Sequence, residues 1–112
     1  MRYSLHFLFL IYFSHYLSAQ HPIGDKLEQL YSQGHYGIVY RKANKYIQKS
    51  ETNHLISPKY YLAISSLQRL NNLYWYKRNL TAPENAILEL NKLKSDKVGF
   101  QFLEAHTYEL FE

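Results

Sequence analysis

Apolar positions along this chain recur mostly at the three- and four-residue spacing of an amphipathic α-helix. Leu27, Leu30 and Tyr31 share one face of the first predicted helix after the N-terminal segment. Asp25 is placed to cap the start of that helix, and Gly34 is placed to end it. No stretch keeps the strict two-residue alternation of a half-buried strand, so the pattern predicts an all-α domain.

The same period predicts two further helices on either side of a polar loop. After a turn at residues 33–36, the buried face of the second helix is predicted to hold Val39, Ala43, Tyr46 and Ile47. Residues 49–58 are polar, end in a proline and predict a loop. One long helix is predicted over residues 59–77, with a buried face of Tyr60, Ala63, Ile64, Leu67, Leu70 and Tyr74.

Two more helical segments complete the chain. Thr81 and Glu84 have the spacing of a capping box, in which each side chain accepts a hydrogen bond from the other residue's backbone amide. The helix that begins there runs to about residue 94 and is predicted to bury Ala86, Ile87, Leu90 and Leu93. The last amphipathic stretch is defined by Phe100, Leu103, Thr107, Leu110 and Phe111.

The N-terminal segment has the pattern of a secretory signal peptide. Arg2 supplies a positive charge, Leu5–Phe13 is an apolar run, and Ser18 and Ala19 offer a small-residue cleavage site. We therefore expect a signal peptide at residues 1–19, a single domain at residues 20–112, and a periplasmic or extracellular protein. An uncleaved membrane anchor and a buried helix of a cytosolic protein are the alternatives.

Composition narrows the chemistry that this domain can carry. None of the 112 residues is a cysteine, which excludes disulfides, a thiol nucleophile and a thiolate metal site. Four histidines follow the predicted signal peptide, and no two of them have the spacing that converges two imidazoles on a metal: His21, His35, His54 and His106. Neither a nucleophile-elbow motif nor a glycine-rich phosphate loop is present. We expect a non-enzymatic protein without a metal or cofactor.

One segment of the chain resembles a known helical repeat. The sequence Leu-Tyr-Ser-Gln-Gly-His-Tyr at residues 30–36, followed by Val39 and Ala43, resembles the middle of a tetratricopeptide repeat. A second unit at residues 60–94 keeps Ala63 and Ala86. The resemblance covers about two degenerate units and implies antiparallel helical hairpins that act as a protein-interaction module. An unrelated helical bundle is the alternative.

The order of segments also resembles a class of envelope proteins. An aromatic-rich helical region after a signal peptide is similar to the N-terminal accessory regions of some bacterial cell-wall peptidases of the NlpC/P60 type. Those enzymes use a cysteine in a separate domain, and this chain contains none. The resemblance therefore implies a location in the bacterial envelope. It leaves a non-catalytic accessory segment of a cell-wall enzyme as the alternative function.

A basic face is predicted on the second helix. Arg41, Lys45 and Lys49 follow one another at four-residue steps with no acidic residue between them. Such a face is either simply solvated or in contact with an anionic envelope surface, an acidic glycan or a partner protein. Because the chain is predicted to be exported, we do not expect a nucleic acid as the partner.

Aromatic residues are the other candidates for an interaction surface. Tyr74, Trp75 and Tyr76 are consecutive and cannot share one helical face, so at least one ring is expected to face solvent, a loop or a partner. Packing against the connection at residues 78–83 is one explanation for these rings. A platform for a partner or glycan, formed by Trp75 and Tyr76, is the other.

The last predicted helix carries a second apolar face. Phe102 and Tyr108 lie off the main stripe, whereas Gln101, Glu104 and Glu109 are predicted to face solvent. A helix with two apolar faces has an unpartnered side in a helical array. We therefore expect self-association or binding of another protein through Phe102 and Tyr108.

Overall fold

The computed structural model describes residues 22–110, which form an all-α domain. Its elements are α1 (Pro22–Ser32), α2 (Tyr36–Gln48), α3 (Ile56–Gln68), a 3₁₀ turn (Arg69–Asn71), α4 (Leu73–Arg78), α5 (Ala82–Ser95), α6 (Lys97–Ala105) and α7 (Thr107–Leu110). The all-α class predicted from the helical period is confirmed. Over this range, no helix combines the length and apolar character needed to cross a membrane. The signal peptide predicted at residues 1–19 lies outside the described residues.

A glycine turn joins α1 and α2 into a packed hairpin. Gly34 has a φ of 80°, its amide donates to the carbonyl of Tyr31 (2.9 Å), and the amide of His35 donates to the carbonyl of Leu30 (3.1 Å). This pair of hydrogen bonds is a Schellman motif, so Gly34 ends α1 as predicted. The start of α1 was misplaced: a proline is well suited to the first helical position, and α1 begins at Pro22.

Helix α3 is the centre of the domain and contacts α1, α2 and α5. Its buried residues lie around most of its circumference: Ser57, Pro58, Tyr60, Tyr61, Ala63, Ile64, Ser65 and Ser66. A helix that is packed on several sides needs no wide polar face. The helix also begins earlier than predicted, at Ile56, because Pro58 is tolerated in the first turn, where backbone amides lack helical partners.

The long helix predicted over residues 59–77 is interrupted by the 3₁₀ turn. Asn72 is extended there, and its side chain accepts a hydrogen bond from the amide of Trp75 (3.2 Å), which starts α4 as a new helix. The interruption changes which side chains face the core. Trp75 is buried (8% exposed), whereas Tyr74, predicted to be buried, is 66% exposed.

The start and the buried face of α5 differ from the prediction. Thr81 has φ and ψ of −88° and −2°, whereas a capping side chain requires an extended backbone, so the capping box does not form. The Thr81 hydroxyl instead accepts a weak hydrogen bond from the Asn85 side chain (3.4 Å). Ala86 and Leu93 are buried as predicted, but Ile87 is 53% exposed.

The C-terminal stretch is two helices and not one, because the chain turns at His106 between α6 and α7. Phe102 and Leu103 pack on the core. Three members of the predicted apolar stripe are exposed instead: Phe100, Thr107 and Leu110. Glu109, predicted to face solvent, is only 4% exposed, because the turn directs α7 against α3.

Replacing Ala43 with leucine tests the α1–α2 hairpin. Ala43 is fully buried beside Val39 and Tyr31 in the core, so three additional carbon atoms have no space. We expect Ala43→Leu to lower the free energy of unfolding by about 1–3 kcal/mol, measured by urea denaturation. Ala105→Leu is the control, since Ala105 is exposed at the end of α6. A neutral Ala43→Leu would show that the hairpin is packed differently.

Candidate functional site

A cleft of about 380 Å³ lies between α2, α3 and α5, and we call it the α2–α3–α5 cleft. Its lining residues are Tyr40, Ile47, Lys59, Leu62, Ala63, Ser66, Ala82, Asn85, Ala86, Glu89 and Lys92. This volume lies in the size range of sites that take a ligand or a few side chains of a partner.

The cleft forms because small side chains occupy the positions where α3 and α5 approach each other. Ala63 and Ser66 lie one turn apart on α3, and Ala86 faces them from α5; all three are nearly fully buried. Tyr40 and Ile47, two turns apart on α2, form the third wall. The small residues leave a trough where larger side chains would have filled the space between the helices.

Charged side chains line the cleft without pairing with one another. Lys59 and Lys92 contribute two ammonium groups, and Glu89 contributes one carboxylate. Within residues 22–110, the only ion pairs closer than 4 Å involve His106, so these three groups have no such partner. The cleft therefore combines an apolar floor with two ammonium groups that a ligand can use.

A buried polar cluster ties α7 to α3 on another part of the domain. The Glu109 carboxylate accepts hydrogen bonds from the hydroxyls of Tyr61 (3.0 Å) and Tyr60 (3.2 Å), and His106 Nδ1 lies 2.8 Å from it. Burying a carboxylate is costly unless it is hydrogen-bonded, which these three groups provide. This Tyr60–Tyr61–His106–Glu109 cluster was not predicted from the sequence, although the three-residue step from His106 to Glu109 is a visible signal.

The two tyrosine hydroxyls of this cluster are held in the neutral form. Burial raises the pKa of Tyr60 and of Tyr61 above the ordinary value, and the neighbouring Glu109 carboxylate raises both further. Both hydroxyls therefore act as hydrogen-bond donors at neutral pH.

Stability is expected to fall in alkaline solution. Folding raises both tyrosine pKa values above the unfolded value of about 10. Once the pH exceeds that value, the folded state therefore binds more protons than the unfolded state. The free energy of unfolding therefore keeps its full value below about pH 10. Above that pH it decreases by up to about 1.4 kcal/mol per pH unit for each tyrosine. Urea denaturation across this range, with Tyr61→Phe expected to show the shallower slope, tests the prediction. A pH-independent free energy of unfolding would contradict it.

Trp75, one of the predicted interaction residues, is engaged inside the domain. The Arg69 guanidinium lies 4.7 Å from the Trp75 ring centroid and 5.4 Å from that of Tyr40, at cation–π distances. Tyr76 is half-buried, and the Arg78 guanidinium lies 4.3 Å from the exposed ring of Tyr74. Tyr74 is thus the ring of this run that faces solvent.

The other predicted interaction residues fall into separate groups. Arg41 and Lys45 are exposed on one face of α2, whereas Lys49 is exposed but follows the last residue of α2 with an extended backbone. Phe102 is half-buried, with its ring 5.1 Å from that of Tyr60 and stacked on the His106 ring. Tyr108 is 53% exposed. The helical face predicted from three basic residues therefore holds Arg41 and Lys45 but not Lys49, and Phe102 packs against the core.

In the part of the chain that the structure describes, no three histidine, aspartate or glutamate side chains converge as metal ligands would. Comparisons with protein-family models, with curated proteins and with solved structures found no match to this chain.

Proposed function

We propose that this chain is an exported, non-enzymatic protein-interaction module of the bacterial envelope, built from tetratricopeptide-like helical hairpins, and that it binds its partner in the α2–α3–α5 cleft. The observation that carries the proposal is the cleft itself, with its floor of small residues and its unpaired lysines. The signal-peptide pattern of residues 1–19 supports export, and the Gly34 hairpin supports the repeat-like architecture.

The chemistry of the cleft favours a short segment of another protein. Ala63, Ser66 and Ala86 accommodate an apolar side chain, while Lys59 and Lys92 favour an acidic residue beside it. A segment with one apolar and one acidic anchor satisfies both features, which is how grooves commonly recognise peptides. We therefore expect the partner to present an acidic, amphipathic segment.

The basic face of α2 adds to the attraction of an acidic partner. Arg41 follows Tyr40 and points about 100° further around the helix, so the basic face borders the cleft without lining it. Exposed lysine and arginine side chains of this kind accelerate association and act over about a Debye length. Salt is therefore expected to slow binding, and an acidic glycan or anionic lipid would compete only for this face.

Two asparagines on α5 allow a matched cross-linking experiment. Asn85 and Asn91 are both exposed on the same helix, but only Asn85 lines the cleft. A photoreactive amino acid at each position, in cells that express the full chain, would be followed by mass spectrometry of the cross-linked peptides. We expect Asn85 to capture one segment with neighbouring acidic and apolar residues, and Asn91 not to capture it. The same capture from both positions, or none from Asn85, would overturn the proposal.

A further inference from the structure

A second cavity of about 220 Å³ lies between the start of α1, the start of α3 and the end of α6, and we call it the α1–α3–α6 pocket. Its lining residues are Gly24, Asp25, Glu28, Ser57, Tyr61, Phe102 and His106. None of them lines the α2–α3–α5 cleft, so the two cavities can act independently.

The pocket has a strongly acidic lining. Asp25 and Glu28, one turn apart on α1, face it with two carboxylates, and none of the described lysines or arginines lines it. The one basic side chain is His106, whose Nδ1 lies 2.8 Å from Glu109 and 3.8 Å from Glu28. A concave site with carboxylates and apolar walls concentrates negative potential, which attracts cations.

Aromatic rings form the other walls. Tyr61, Phe102 and His106 line the pocket, and the last two are stacked with ring centroids 4.2 Å apart. Phenyl and phenol faces attract ammonium and guanidinium groups within about 6 Å. Aromatic walls beside carboxylates therefore favour an organic cation over a neutral ligand.

An unused hydroxyl gives an independent indication of a ligand. Ser57 lines the pocket and is only 6% exposed, and its hydroxyl makes no hydrogen bond to another described residue, so the oxygen is open to the pocket and not sealed in the core. A hydroxyl in such a position takes its hydrogen bond from whatever occupies the pocket, water or ligand. Ser57 Oγ can accept a hydrogen bond from an N–H group inside the pocket.

We propose that the α1–α3–α6 pocket binds an organic cation that carries N–H donors, namely a primary ammonium or a guanidinium group. Asp25 and Glu28 supply the opposite charge, Ser57 Oγ accepts a hydrogen bond, and the rings of Tyr61 and Phe102 cover the alkyl part. Free alkylamines and the side chains of lysine or arginine in a partner share this chemistry.

Titration followed by nuclear magnetic resonance, with n-butylammonium and n-butylguanidinium as probes, tests the proposal. We expect both probes to shift the amide signals of Glu28 and Ser57, tetramethylammonium to bind more weakly because it lacks N–H donors, and neutral 1-butanol not to bind. Glu28→Gln should weaken binding about tenfold, and Ser57→Ala should weaken it measurably. Glu104→Gln is the control, since Glu104 is exposed on α6 and does not line the pocket.

Several outcomes would overturn the proposal: no binding of either cation, equal binding of 1-butanol, or unchanged affinity in both Glu28→Gln and Ser57→Ala. Asp25→Asn, at an exposed position, replaces Glu28→Gln if that variant does not fold. A blocked Gly-Arg-Gly peptide distinguishes the sources. Tighter binding of the peptide than of n-butylguanidinium identifies a protein side chain as the ligand, and tighter binding of the free cation identifies a small amine.

Discussion

Tyr61→Ala is expected to lower the free energy of unfolding by about 3–5 kcal/mol, the range for truncating a large buried ring. Tyr61 is fully buried in α3, packs edge-to-face on Tyr60 at 4.9 Å, and donates to Glu109. The substitution leaves a cavity at the centre of the domain and removes one partner of a buried carboxylate. Urea denaturation followed by far-ultraviolet circular dichroism measures the loss.

Two control variants separate the contributions of the ring and the hydroxyl. Tyr61→Phe keeps the ring and removes the hydrogen bond to Glu109, with an expected cost of about 1.5–3 kcal/mol. Tyr74→Ala removes an exposed ring and should cost much less. If Tyr61→Ala were no more destabilising than Tyr74→Ala, the position of α3 at the centre of the core would be wrong.

Gly99→Ala is expected to cost about 3 kcal/mol, the upper end of the range for overpacking. A Cβ atom at residue 99 would overlap the backbone carbonyl oxygen of Leu93, so α6 would have to move away from the end of α5. The gain in helix propensity from glycine to alanine is about 1 kcal/mol and does not offset this contact. Thermal and urea denaturation measure the difference.

The matched control for this prediction is Gly37→Ala. Gly37 lies in α2, and the nearest atom to an added Cβ is Arg69 Cζ at 4.0 Å, which is an ordinary contact. We expect this substitution to be neutral or to stabilise the protein by about 0.5–1 kcal/mol. Equal effects at Gly37 and Gly99 would contradict the close approach of α5 and α6.

Helical period and glycine chemistry were sufficient to predict much of the fold. Val39 and Ala43 in α2, and Tyr60 and Ile64 in α3, are buried as their spacing predicts, and Gly34 ends α1. These predictions succeeded because an amphipathic helix places residues three and four positions apart on the same side. The all-α class follows directly from that period.

The interruptions of the helices were not predictable from the spacing of apolar residues alone. The apolar spacing continues through Leu70 to Tyr74, yet the Asn72 side chain starts a new helix there. Short polar side chains compete for backbone hydrogen bonds over one or two residues. The spacing of apolar residues carries no information about this competition. At Thr81 the opposite occurred, because the expected cap was present in sequence but the backbone conformation excluded it.

Both cavities and the buried carboxylate depend on contacts between distant segments. Glu109 is buried by hydroxyls from residues 48 and 49 positions earlier, and no local pattern identifies such partners. Ala63 and Ala86 were correctly predicted as buried, but burial does not distinguish a filled interface from one that borders a cleft. Arg41 and Lys45 were visible as a basic face in the sequence because both lie on α2, whereas the end of the helix at Gln48 leaves Lys49 outside it.

The central claim, that partner binding occurs in the α2–α3–α5 cleft, is tested most directly by isothermal titration calorimetry with the segment that cross-links at Asn85. Asn85→Trp fills the cleft from α5, while Asn91→Trp adds the same ring to an exposed position outside it. We expect Asn85→Trp to weaken binding by about tenfold or more and Asn91→Trp to leave the dissociation constant unchanged. Equal affinity of the two variants for that segment would contradict binding in the cleft.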